Sequence, residues 1–188
     1  MAKRKAKTSI LNFKLPKENR QLFHILKFII KFNLFAIPLY IILFTGWTWP
    51  DLQKWIADFT YNSLTAMGYH PTIKDVLISI PIRNGDWAAV ISWDCTGWKS
   101  MLALFALIMA TDFGTKRKIL GMLLIPVVFA INLLRILFMF FWIKTFDLAY
   151  YQTVHAVIWS WGLILTVLLL WFLWMKYDFT KVLGKGKT

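Results

Sequence analysis

The sequence predicts an all-α membrane protein with about four transmembrane helices and both termini in the cytoplasm. A small extracytoplasmic insertion, one helix plus a β-hairpin, is expected before the second span. Three observations carry this. Hydrophobic residues make up 59% of the 188 residues, against about 45–50% in a soluble domain. Four apolar segments approach the roughly 20 residues that cross a hydrocarbon core. The net charge of +13 is gathered in the flanks and in one loop, as the positive-inside rule demands of cytoplasmic segments.

Residues 1–22 form a basic cytoplasmic N-terminal segment. Lys3, Arg4, Lys5, Lys7, Lys14, Lys17 and Arg20 stand there against Glu18 alone. Such an arm can bind nucleic acid, but it runs directly into an apolar span, so it reads as a flank beside anionic lipid and not as a nucleic-acid site. No secretory signal peptide is evident. The first apolar stretch is long and lacks a small-residue cleavage site, so it is expected to be an uncleaved anchor.

Residues 23–175 are expected to form one membrane-embedded domain. The first span covers about Phe23–Trp47, with Lys27 and Lys31 snorkelling back to the cytoplasmic surface. Residues 48–94 form the extracytoplasmic insertion, whose acids Asp51, Asp58, Asp75, Asp86 and Asp94 match Lys54, Lys74 and Arg83. Within it, Leu52, Trp55, Ile56, Phe59, Leu64 and Met67 recur at helical spacing, which predicts an amphipathic helix over Asp51–Tyr69 ended by Gly68. Thr72–Ile82 and Trp87–Trp93 are β-prone runs around Arg83-Asn84-Gly85-Asp86, and Asn-Gly is the favoured two-residue hairpin turn. Pro81 predicts an edge or a bulge.

The second span, about Trp98–Thr111, is short. Lys116, Arg117 and Lys118 make the next loop cytoplasmic. The third span covers about Ile119–Trp142 and the fourth about Val154–Met175. Residues 176–188 form a basic cytoplasmic tail with Lys176, Lys181, Lys185 and Lys187. Trp87, Trp93, Trp98, Trp142, Trp159 and Trp161 read chiefly as an interfacial aromatic belt.

Three polar residues that are costly in lipid fall at one membrane level. Cys95 is the only cysteine and lies in Trp93-Asp94-Cys95-Thr96-Gly97-Trp98-Lys99-Ser100, where the insertion meets the second span. A single cysteine makes no internal disulfide. A helix starting here favours a thiolate, whereas Asp94 opposes it. Arg135 lies inside the third span, roughly 10 Å below its outer end at 1.5 Å per residue. An arginine at such depth costs about 2.5–3.5 kcal/mol on insertion scales and usually faces a functional cavity. Asn132, one turn earlier, shares its face and is placed to bond Arg135 or a substrate. His155 opens the fourth span on the outer side. Lys99 either snorkels to the headgroups or touches a substrate. One Cys and three scattered His lack the spacing of a metal site, so neither metal nor cofactor is expected.

At these residues the chain resembles the exosortase/archaeosortase family of membrane cysteine transpeptidases, in a compact version. The matching pieces are Cys95-Thr96-Gly97 with Ser100, Asn132-Leu133-Leu134-Arg135, and His155, in the family's order, over roughly residues 85–175. The resemblance implies a cell-membrane enzyme with its active site at the extracytoplasmic face. Cys95, Arg135 and His155 would be catalytic, with Asn132, Thr96, Gly97 and Ser100 supporting. Cys95 would form a thioester with the substrate, Arg135 would hold the oxyanion, and His155 would serve as general acid and base. The implied partners are exported proteins bearing a C-terminal tail of motif, transmembrane helix and basic cluster, and a lipid or glycan acceptor. Two rival readings stand beside this one: an S-acyltransferase using Cys95, and a non-catalytic four-helix membrane subunit or assembly factor. The sequence fixes no oligomeric state.

Overall fold

The computed structural model describes residues 17–83, 85–146, 151–157 and 161–177. The expected N-terminal arm before residue 17, the turn residue Asn84, Trp159 and the tail after residue 177 lie outside them. The described chain is mostly helical, with one small sheet.

The first apolar stretch is two helices, α1 (Lys17–Phe35) and α2 (Ile37–Thr45), bent by 45° at the break. Pro38 explains the bend: it has no N–H to donate to the carbonyl four residues back, and its ring crowds that carbonyl. The pair qualifies as a span only if both halves are taken together. Gly46, in the left-handed region with φ 65°, ends α2 by bonding its N–H to the Ile42 carbonyl.

α3 (Pro50–Ala66) starts with Pro50 in its first turn and Asp51 beside the N-terminal dipole, both favourable there. It ends where Gly68 takes φ 79° and Tyr69 N–H reaches back to the Leu64 carbonyl. The predicted helix is therefore present, ending two to three residues early. The expected hairpin is a three-stranded antiparallel sheet, β1 (Thr72–Lys74), β2 (Leu77–Ile82) and β3 (Gly85–Val90). The run 72–82 folds back on itself at Asp75, which sits at φ 57°, a conformation that short polar side chains tolerate. Pro81 lies beyond the residues of β2 that pair with β1, so its missing N–H faces an open edge, as expected.

A 3-10 turn (Trp93–Thr96) leads into α4 (Trp98–Ala110). α5 (Thr115–Met122) and α6 (Leu124–Phe146) form one nearly continuous rod of 32 residues, Thr115–Phe146, the described helix long and apolar enough by itself to cross a membrane. Pro126, whose ring crowds the carbonyl of Met122, accounts for the interruption at Leu123. Over the fourth expected span the described residues form α7 (Tyr151–Val157) and α8 (Leu163–Lys176).

Two cores result. One lies between α3, the sheet and the C-terminal half of α6, where Ile56, Leu64, Ile78, Ile80, Ile136, Leu137, Phe140 and Ile143 are buried with Cys95. The insertion thus covers one flank of α6 with protein, and this is why the C-terminal half of that helix tolerates polar residues. The second core joins α4, α6 and α8 through Leu104, Ile108, Val128, Val167 and Trp174. Its base is pinned by Arg117, which donates from Nη2 to the Trp174 and Met175 carbonyls at 3.1 and 2.6 Å.

Candidate active site

Cys95 is held by backbone geometry. Its N–H donates to the Ser92 carbonyl at 2.9 Å, closing the 3-10 turn that follows β3. Gly97 then takes φ 76° and turns the chain into α4. A Cβ at Gly97 would stand 2.8 Å from Cγ of Asn132, so glycine is required both by φ and by the space. Asn132 is fully buried, and its Nδ2 donates to the Cys95 carbonyl at 2.8 Å. Beyond the sequence expectation that Asn132 bonds Arg135 or a substrate, its Nδ2 ties α6 to the turn that carries the thiol. Thr96, also fully buried, donates its hydroxyl to the Trp93 carbonyl and stabilises the same turn.

The thiol itself is mostly buried. Ser92 Oγ lies 3.2 Å from Sγ. Burial pushes the Cys95 thiol above its ordinary range, opposed by the hydrogen bonds from Ser92 and by the positive charge of Arg135; Asp94 adds to the rise. Asp94 is the smallest of these influences, and its carboxylate is engaged by Lys99 Nζ at 2.8 Å. That contact also places Lys99, whose role the sequence leaves open.

Cys95, Arg135 and His155 line one cavity of about 60 Å³, together with Trp87, Phe140 and Tyr151. They come from three separate stretches: the turn after β3, the buried face of α6, and α7. Arg135 acts electrostatically on both Cys95 and His155. Trp87 packs edge-on against Phe140 and Tyr151, with ring centres 5.3 and 5.4 Å away. Tyr151 in turn lies 5.5 Å from the His155 ring. This aromatic wall connects the sheet to α7 and sets the imidazole against the cavity. Arg135 also borders an apolar groove between α6 and α8, lined by Leu134, Phe138, Leu163 and Thr166, so it stands between the thiol cavity and the groove.

Ser100 stands apart from this cavity: it lies in the first turn of α4 and lines a different trough with Lys99. Ser92, Phe140 and Tyr151 are site residues that the sequence reading does not single out. Ser92 had a signal, a hydroxyl three residues before the cysteine at the entry of a turn. Tyr151 had none, because its place depends on the packing of α7 against Trp87. Among the described residues no group of His, Cys, Asp and Glu is placed to hold a metal ion.

The chemistry open to this arrangement is nucleophilic. A thiol, an imidazole and a guanidinium share a small hollow walled by aromatic rings, the set required for attack on a carbonyl and stabilisation of the resulting oxyanion. Among protein-family models, the one described as transmembrane exosortase matches residues 19–174. No curated protein and no solved structure matches.

Proposed function

The chain belongs to the transmembrane exosortase family, and on that premise we propose that it is a membrane-embedded cysteine transpeptidase. It cleaves the C-terminal sorting tail of exported proteins and transfers them to a lipid or glycan acceptor. The observation that carries this reading is the meeting of Cys95, Arg135 and His155 at one cavity from three separate stretches of chain.

The steps follow from the environment. Burial keeps the resting Cys95 as a thiol, so attack needs a base, and His155 takes the proton as Sγ bonds to the substrate's carbonyl carbon. The oxyanion forms against Arg135, a fixed charge in a cavity walled largely by apolar side chains, where such stabilisation is strong. Collapse breaks the C–N bond, and His155 returns the proton to the leaving amine. The thioester is then attacked by the acceptor, which gives its proton to His155; the C–S bond breaks and the thiol is restored. Asn132 and Gly97 hold the nucleophile in register through the Cys95 carbonyl.

The spans of this reading are α1 with α2, α4, α5 with α6, and α8, with both termini cytoplasmic. The cavity then opens at the extracytoplasmic face of the cell membrane, where an exported substrate arrives. The test is co-expression with a protein bearing a motif–helix–basic tail, with tail loss followed by mass. Wild type removes the tail, whereas Cys95→Ala accumulates and leaves it in place. Arg135→Lys also fails, because an ammonium lacks the planar fork of a guanidinium. Wild-type processing by Cys95→Ala sinks the mechanism; normal processing by Arg135→Lys reduces Arg135 to a structural residue.

A further inference from the structure

An apolar trough of about 370 Å³ lies between α1–α2, α4 and α8. On α4 it is walled by Lys99, Ser100, Ala103 and Leu107, a single stripe at helical spacing. From Lys99 to Leu107 the stripe runs roughly 12 Å at 1.5 Å per residue. The opposite walls, among them Phe32, Leu39 and Ile164, are apolar, so Lys99 and Ser100 supply the polar end. Lys99 also borders a second hollow, of about 150 Å³, which holds Asp94 and the indoles of Trp47, Trp93 and Trp98. The two hollows therefore meet at one cation and one anion, Lys99 and Asp94, 2.8 Å apart and each about half exposed (47% and 53%).

We infer that the trough and its charged mouth bind one zwitterionic phospholipid, with an acyl chain along α4, the phosphate on Lys99 and the ammonium on Asp94. The dimensions suit a thin occupant: a stripe of roughly 12 Å along α4, apolar along its length and polar only at Lys99 and Ser100, matches an acyl chain below a headgroup. The charge chooses the headgroup. A half-exposed ion pair is worth about 1 kcal/mol at most, so it opens readily around a dipole that satisfies both partners. A purely anionic headgroup would gain Lys99 but meet Asp94. The indole faces of Trp47 and Trp93, in edge contact at 5.8 Å, and of Trp93 and Trp98, stacked at 5.5 Å, suit the interfacial level and attract an ammonium. The site uses none of Cys95, Arg135 and His155, so it stands apart from the proposed transpeptidase chemistry.

The test uses the full chain in detergent, offered equimolar phosphatidylethanolamine and phosphatidylglycerol of identical acyl chains. Bound lipid is read by native mass spectrometry. Wild type is expected to retain one lipid per chain and to favour phosphatidylethanolamine about threefold to fivefold, the size of one half-exposed ion pair. Asp94→Asn is expected to reverse the preference, since Lys99 then faces the headgroup alone. Lys99→Gln is expected to weaken retention of both lipids, since the phosphate loses its cation, while phosphatidylethanolamine stays ahead because Asp94 still attracts the ammonium. Ala103→Trp fills the trough and releases both lipids. Cys95→Ala binds as wild type, which separates this result from the fate of the catalytic reading. Equal retention of the two lipids by wild type identifies a general annular shell and overturns the proposal, as does an unchanged preference in Asp94→Asn. A second copy of the chain occupying the trough, seen as a dimer without lipid, also overturns it. Where Ala103→Trp does not accumulate, the two near-isosteric charge variants decide.

Discussion

Gly97 and Asn132 show how the site is built at the residue scale. A left-handed residue after Cys95 is needed to enter α4, and the amide of Asn132 fills the space a side chain would take. Gly97→Ala therefore incurs two costs, a strained φ and a collision 2.8 Å from Cγ of Asn132. Gly46, at φ 65°, has nothing within 4 Å of its virtual Cβ, so Gly46→Ala carries the first cost alone. We expect Gly46→Ala to lose about 1 kcal/mol and Gly97→Ala about 2–3 kcal/mol, measured by unfolding in detergent. Equal losses would show that Asn132 moves aside freely.

The thiol gives the second prediction at this scale. Burial raises Cys95 and Ser92 opposes the rise, so alkylation by a small thiol reagent accelerates with pH along a curve whose midpoint lies above that of an ordinary thiol. The thiolate is the reactive form, and burial disfavours it. Ser92→Ala removes a hydrogen bond to the thiolate and shifts the midpoint further up. A midpoint at neutral pH in wild type would mean a preformed thiolate, and His155 would not be needed as the base. Cys95, Arg135 and His155 were legible in the sequence because each is a polar residue in an apolar setting. Ser92 offered only a hydroxyl at the entry of a turn, and Tyr151 no signal at all, because its place comes from the packing of α7 against Trp87.

At the scale of elements, packing at the α5–α8 crossing rests on one small residue. A Cβ at Gly121 would lie 2.8 Å from the Trp174 ring, and Trp174 is 1% exposed, so the indole has nowhere to go. Gly121→Ala is expected to cost about 1–3 kcal/mol, the usual penalty of overpacking. Gly114→Ala, with nothing within 4 Å, is expected to be nearly silent in the same unfolding measurement. A silent Gly121→Ala would mean that α8 slides freely at this crossing. Helix positions followed from hydropathy and charge: α3, α4 and the α5–α6 rod lie close to where periodicity put them. The breaks did not. Pro38 bends the first stretch, and Asp75 splits a strand into two. In each case a local backbone preference overrode a continuous apolar run, and hydropathy averages are blind to such single positions.

At the scale of the whole molecule, the insertion and the membrane helices form one unit: Cys95 is delivered by the sheet, Arg135 by α6 and His155 by α7, and α3 packs on α6 to close the assembly. The orientation of that unit decides which compartment supplies the substrate. Charge is the argument for it. Asp112, in the loop after α4, is engaged by Lys31 and by Lys27 of α1, which hold its carboxyl below the ordinary range. These contacts bring the basic side of α1 and the Lys116–Lys118 run in the first turn of α5 to one end of the bundle. The sheet tip at Asp86 belongs to the opposite end of α6, near Lys144, which donates to the Pro81 carbonyl at 2.7 Å. Cationic flanks stay inside, so the sheet tip is expected outside. In a Cys95→Ala background, Asp86→Cys should react with an impermeant thiol reagent applied to intact cells, and Lys116→Cys only after the membrane is opened; both positions are exposed. The reverse pattern would place the cavity in the cytoplasm, where acyl-CoA is available. It would exchange the transpeptidase reading for an S-acyltransferase on the same three residues.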